Sequence, residues 1–170
     1  MKKKIIGSKF LKEIKSNKKI CVMGIGNYDR ADDFAGIAVL EKLETQKYSE
    51  SIKIINAGPV PEAYTSVIKQ HNTELLVIID AAMMDEKPGT IKIFTDKDID
   101  DIYMITPHRI PMSMYTKYLR YFLENLQAIF IGIQPASLSY DIPMSDEVKS
   151  SVLFLSEYLD EILKKLNFGK

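Results

Sequence analysis

Three side chains carry the chemistry this sequence can offer: Asp33, Asp80 and His108. Two carboxylates and an imidazole form an oxygen and nitrogen donor set. Such a set suits a borderline divalent ion such as zinc or nickel and leaves positions open for a substrate ligand. Either acid can also act on a water as a base, alone or beside a metal. Each residue has a plainer reading. Asp32 reads as a helix N-cap and Asp33 as a first-turn acid. Asp80 can cap the turn that follows it, although an acid directly after five apolar residues is costly to bury. His108 can be an exposed loop residue. There is no short ligand pair of the His-Glu-x-x-His kind and no Gly-x-Ser-x-Gly elbow. The single cysteine, Cys21, lies in an apolar run, which makes it a small buried hydrophobe rather than a nucleophile. His71 ends a helical stretch and reads as a complement to the helix dipole.

Convergence of these residues depends on the elements that carry them. Residues 19–25, 52–55, 75–80 and 128–133 are apolar runs of strand length, and residues 91–94 alternate. Continuous runs indicate burial on both faces, as in a parallel sheet, with 75–80 at its centre. The alternating run reads as a half-exposed, antiparallel strand after the Lys87-Pro88-Gly89-Thr90 turn. Helical patterns cover 7–16, 33–45, 61–70, 112–125 and 146–166, the last capped by Ser145. Strand and helix alternate, which predicts a three-layer α/β/α sandwich with a mostly parallel sheet. In such folds ligands bind beyond the carboxyl ends of the strands. Asp33 follows the first strand, Asp80 ends the central one, and His108 precedes a helix, so one rim of the sheet can gather all three.

Other functions fit less well. Gly24-Ile25-Gly26 begins like a dinucleotide fingerprint, but Asp29 occupies the place of the third glycine. Asp29, Asp32 and Asp33 would also repel a phosphate. Lys+Arg and Asp+Glu both total 23, so no basic excess marks a nucleic-acid binder. The chain of 170 residues is 46% apolar and 27% charged, as expected of one globular domain. It has no run of membrane-spanning length and no signal-peptide pattern. With its lone cysteine, these features indicate a cytoplasmic protein.

Six collinear stretches resemble the hydrogenase maturation endopeptidases: Gly26-Asn27, Asp32-Asp33-Phe34-Ala35-Gly36, Ile79-Asp80-Ala81, Pro88-Gly89-Thr90, Thr106-Pro107-His108 and Gly132-Ile133-Gln134-Pro135. The last two resemble the hydrogenase-3 type most. The resemblance spans residues 19 to about 165. It implies a twisted five-stranded sheet in one peptidase domain, with residues 1–18 as an N-terminal extension and the core over 19–166. It implies an aspartic-type, metal-dependent peptidase that removes the C-terminal extension of a [NiFe] hydrogenase large-subunit precursor once nickel is inserted. Asp33, Asp80 and His108 then contact the metal, which is the substrate's nickel, with zinc or cadmium as substitutes. Asp33 and Asp80 are the catalytic acids, and which of them is the base stays open. Asn27, Pro107 and Arg109 are the expected substrate contacts, and Asn27 has an equal reading as a turn residue. The loop from Pro107 to Met114, with Met112, Met114 and Tyr115, faces either the peptide or the core. Asn56-Ala57-Gly58 departs from the Asp-Gly-Gly that the family commonly has after its second strand. A non-enzymatic nickel-sensing assembly factor or metallochaperone using the same three ligands is the alternative.

Overall fold

The computed structural model describes residues 8–95, 98 and 111–166. The apolar runs form a five-stranded sheet of β1 (Ile20–Ile25), β2 (Ile52–Gly58), β3 (Leu75–Ala81), β4 (Ile91–Thr95) and β5 (Gln127–Ile133). The strand order is β2-β1-β3-β5-β4. The first three neighbouring pairs are parallel, and β4 runs antiparallel to β5 at the edge. β3 is central and buried along its whole length, as expected for a run of β-branched and other aliphatic residues without polar alternation.

The helices flank both faces. They are α1 (Ser8–Ser16), α2 (Ala35–Glu44), α3 (Thr65–Gln70), α4 (Met112–Arg120) and α5 (Asp146–Lys165). Alternate residues of each strand point to opposite layers. Val22, Val77, Ile79 and Ile131 pack with Leu40 of α2 and Leu155 and Leu159 of α5. Cys21, Met23, Leu76, Ile78 and Phe130 pack with Ile68 of α3 and Leu119 of α4. The result is the three-layer α/β/α sandwich expected from the alternation of strands and helices.

α2 lies unusually close to the sheet. A Cβ added at Gly36 would run into the backbone oxygens of Ile25 and Ile79, and one at Gly24 into Leu40 and the Gly36 oxygen. These glycines let the start of α2 sit directly over the ends of β1 and β3. α1 is also part of the fold, because Phe10 and Ile14 are buried in the cluster beneath α2 and α5.

Several elements differ from the sequence expectation. The stretch 33–45 becomes a 3-10 turn over Ala31–Phe34 followed by α2, and the one at 61–70 becomes a 3-10 turn over Pro61–Tyr64 followed by α3. The expected helix 112–125 stops at Arg120, where Tyr121 and Phe122 turn back onto Tyr118 and Leu119. β2 continues past residue 55 to Gly58, with a register shift between Gly24 and Ile25. Asn-Ala-Gly has little strand propensity of its own, so the neighbouring ladder holds this segment extended. Ser145 occupies the N-cap position of α5, but its side chain makes no cap there and bonds Asp32 instead. His71 occupies the C-cap position of α3. Its Nε2 lies 3.2 Å from the Ser51 carbonyl oxygen, and burial holds its pKa below the usual value.

Candidate active site

The sheet order sets where a site can form. From β1 the chain crosses to β2 on one side, and from β3 to β4 and then β5 on the other. The switch point therefore lies between β1 and β3, outside their carboxyl ends. Asp33 and Asp80 both sit at that position. Gly24 pairs with Ile79, which sets Ile25 level with Asp80 across the ladder. Gly36 touches both strand ends, so the turn bearing Asp33 packs against β3 as well as β1.

Both carboxylates are fully buried. Asp80 Oδ1 accepts a hydrogen bond from the Ala81 amide at 2.8 Å. On β5 its register partner is Gly132, which puts no side chain beside it. Asp33 Oδ2 has the Arg30 guanidinium 4.0 Å away. Buried carboxylates are expensive to maintain and persist where a partner or a function requires them.

The loop before the acids is shaped by its own polar groups. Asn27 Oδ1 accepts from the Asp29 backbone N–H at 2.9 Å, an Asx turn, and the Asn27 backbone N–H donates to the Asp33 carbonyl at 3.3 Å. The turn reading of Asn27 thus has direct support. A Cβ at Gly26 would strike the Asp33 carbonyl, so this glycine serves close backbone approach rather than a nucleotide phosphate. Ala31 adopts φ +25°, a strained value for a non-glycine residue, immediately before the acid pair.

Asp32 is not the helix cap that its position suggests. It is fully buried, and its carboxylate accepts from the Ala136 amide (2.7 Å), the Ser137 amide (3.1 Å), the Ser145 amide (2.7 Å) and the Ser145 hydroxyl (3.0 Å). One acid of the pair therefore fastens the 135–145 strap, while its neighbour stands at the strand ends. Sequence reasoning also passed over Arg30, Tyr140 and the Tyr28–Asn56 pair. Asn56 Nδ2 donates to the Tyr28 hydroxyl at 2.8 Å, which accounts for an asparagine at the end of β2. Gln134 is buried and accepts from the Met84 amide at 2.7 Å, bracing the loop after Asp80.

His108, Pro107 and Arg109 lie outside the described residues. Met112 and Tyr115 are core residues rather than peptide contacts, whereas Met114 is exposed. Cys21 is buried, and burial pushes its thiol up to about 12, in keeping with a small core residue. Among the described residues no group of three metal-ligating side chains occurs. The oxygens of Asp33 and Asp80 are of the donor type that a divalent ion takes. Among the same residues no helix is long and apolar enough to cross a membrane.

Comparison with known proteins identifies relatives of the same family and fold. The profile of the hydrogenase maturation protease family matches residues 37–162. A Methanocaldococcus jannaschii protein with a provisional hydrogenase maturation protease name is 36% identical over 167 residues, covering 94% of this chain and 97% of that one. The hydrogenase 3 maturation protease of Escherichia coli is 31% identical over 129 residues, covering 75% of this chain and 80% of its own length. Among solved structures, the [NiFe] hydrogenase maturation protease HycI from Thermococcus kodakarensis superposes with a TM-score of 0.82 at 26% identity, covering 93% of this chain and all of the other.

Proposed function

The chain belongs to the hydrogenase maturation protease family, and we propose that it is an endopeptidase that removes the C-terminal extension of a [NiFe] hydrogenase large-subunit precursor after nickel insertion. One observation carries this reading: two fully buried carboxylates from separate connections meet the rim at the β1/β3 switch point.

In this reading Asp33, Asp80 and His108 ligate the nickel that the precursor presents. Nickel is then part of the substrate, with zinc or cadmium able to take its place. The ion supplies polarisation of the scissile carbonyl or a lowered pKa for a water. Asp33 or Asp80 takes the water's proton, and the protonated acid can return it to the leaving amine. Asn27 holds the loop that presents Asp33, and Pro107 and Arg109 contact the peptide beside His108. The protein works in the cytoplasm, a reading supported by its single, buried cysteine.

The test is incubation with nickel-loaded precursor, read by the mass of the precursor. Loss of a C-terminal fragment is expected. Asp33→Asn and Asp80→Asn should each slow cleavage by about 100-fold or more. Binding of the loaded precursor with its mass unchanged would overturn the peptidase reading in favour of a nickel-sensing assembly factor.

A further inference from the structure

Asp33 already has a cation beside it. Arg30 Nη1 stands 4.0 Å from Asp33 Oδ2, beyond hydrogen-bond range, so the interaction at this pair is a charge–charge attraction. Arg30 is not a loose surface side chain, being only 19% exposed. Its Nε donates to the Leu138 carbonyl at 3.0 Å. Its guanidinium lies over the Tyr140 ring, 5.0 Å from the centroid. Its backbone also pairs with Tyr140 in an isolated antiparallel bridge. These contacts fix a positive charge next to a buried carboxylate. Asp32 in turn fastens the same 135–145 strap, so Arg30 is held by a clamped segment.

A free divalent ion approaching Asp33 meets that charge at short range. The pair is largely withdrawn from solvent, where salt screens poorly. Tyr140 is different, with 60% of its surface exposed. We propose that Arg30 is a positioning residue that guards Asp33 against free divalent ions, with the exposed Tyr140 ring helping to hold its guanidinium in place. The inference deepens the functional proposal and rests on Asp33 being a metal ligand.

Calorimetric titration of the whole protein with zinc chloride tests it. Arg30→Gln should bind zinc about tenfold tighter than the wild-type protein, because the opposing charge is gone. Arg30→Lys, which keeps the charge, should stay close to wild type. Tyr140→Ala should show a smaller gain. Combining Arg30→Gln with Asp33→Asn should abolish the gain. Equal, weaker or undetectable zinc binding by Arg30→Gln, with Asp33→Asn still weakening the wild-type affinity, would overturn the guard and leave the ligand reading intact. If Asp33→Asn binds zinc like wild type, the ligand reading fails and the guard fails with it. Circular dichroism reports whether Arg30→Gln folds. If it does not, an unchanged affinity in Tyr140→Ala overturns the proposal.

Discussion

Asp32 and Asp33 are adjacent, both fully buried, and serve different ends. Asp32 gathers three amides and a hydroxyl from the strap that follows β5. Replacing it by Asn keeps the shape but removes the charge and turns an acceptor into a donor facing N–H groups. Bonds to a charged group contribute about 1.5–3 kcal/mol, and a buried donor left unsatisfied costs about 1–3. Asp32→Asn should therefore lower the unfolding free energy by about 2–4 kcal/mol in urea denaturation. An unchanged urea midpoint would show that the strap is not anchored there. The sequence marked this stretch correctly as a concentration of acid at a strand end. It could not separate the two roles, because the partners of Asp32 lie 104 to 113 residues further along the chain. Arg30 was overlooked for the same reason, since its meaning comes from Leu138 and Tyr140.

At the scale of elements, the contact between α2 and the sheet decides how the acids are presented. Local propensity and tertiary packing oppose each other at Gly36. Alanine is the better helix former by about 1 kcal/mol. Its Cβ would collide with two backbone oxygens, those of Ile25 and Ile79, and backbone cannot rotate away as a flexible side chain can. Overpacking of this kind costs about 1–3 kcal/mol and occasionally more, so packing outweighs propensity. Gly36→Ala should be less stable than wild type and should cleave precursor more slowly, because relief of the clash lifts the Asp33 turn off β3. A gain in thermal stability would mean that propensity prevails and that the close approach is not needed. The strands were legible because continuous apolar runs are a strong signal of two-sided burial. The helix starts were less so. Both 3-10 turns precede helices that the pattern extends without a break, and the change in pitch depends on what the turn packs against. Within the stretch read as an extension, the spacing of Phe10, Leu11 and Ile14 indicates a short amphipathic helix lying on the domain, and Phe10 and Ile14 of α1 do pack into the core.

For the whole molecule, the question is which face meets the precursor. Two groups of exposed apolar residues compete. Tyr28, Val60, Met83, Tyr140 and Ile142 lie on the loops that leave the carboxyl ends of the strands. Tyr118, Tyr121 and Phe122 lie at the far end of α4, where the chain turns to enter β5. Exposed apolar surface alone does not choose between them, since either can serve as an interface. The strand order does. Parallel strands diverging on either side of β1 and β3 open a crevice only at their carboxyl ends, and the buried acids are there. The alternating pattern foretold the layers, the parallel sheet and the central place of residues 75–80, but the full order of strands follows from long-range pairing that no local pattern encodes. Amide hydrogen exchange with and without nickel-loaded precursor separates the two surfaces. The precursor should slow exchange in residues 26–30, 58–61, 82–86 and 134–145. It should leave 45–51, 71–74 and 121–126 unchanged. Slowing confined to 121–126 and the adjoining end of α4 would place the partner on the opposite edge, away from Asp33 and Asp80, and would overturn the proposed site.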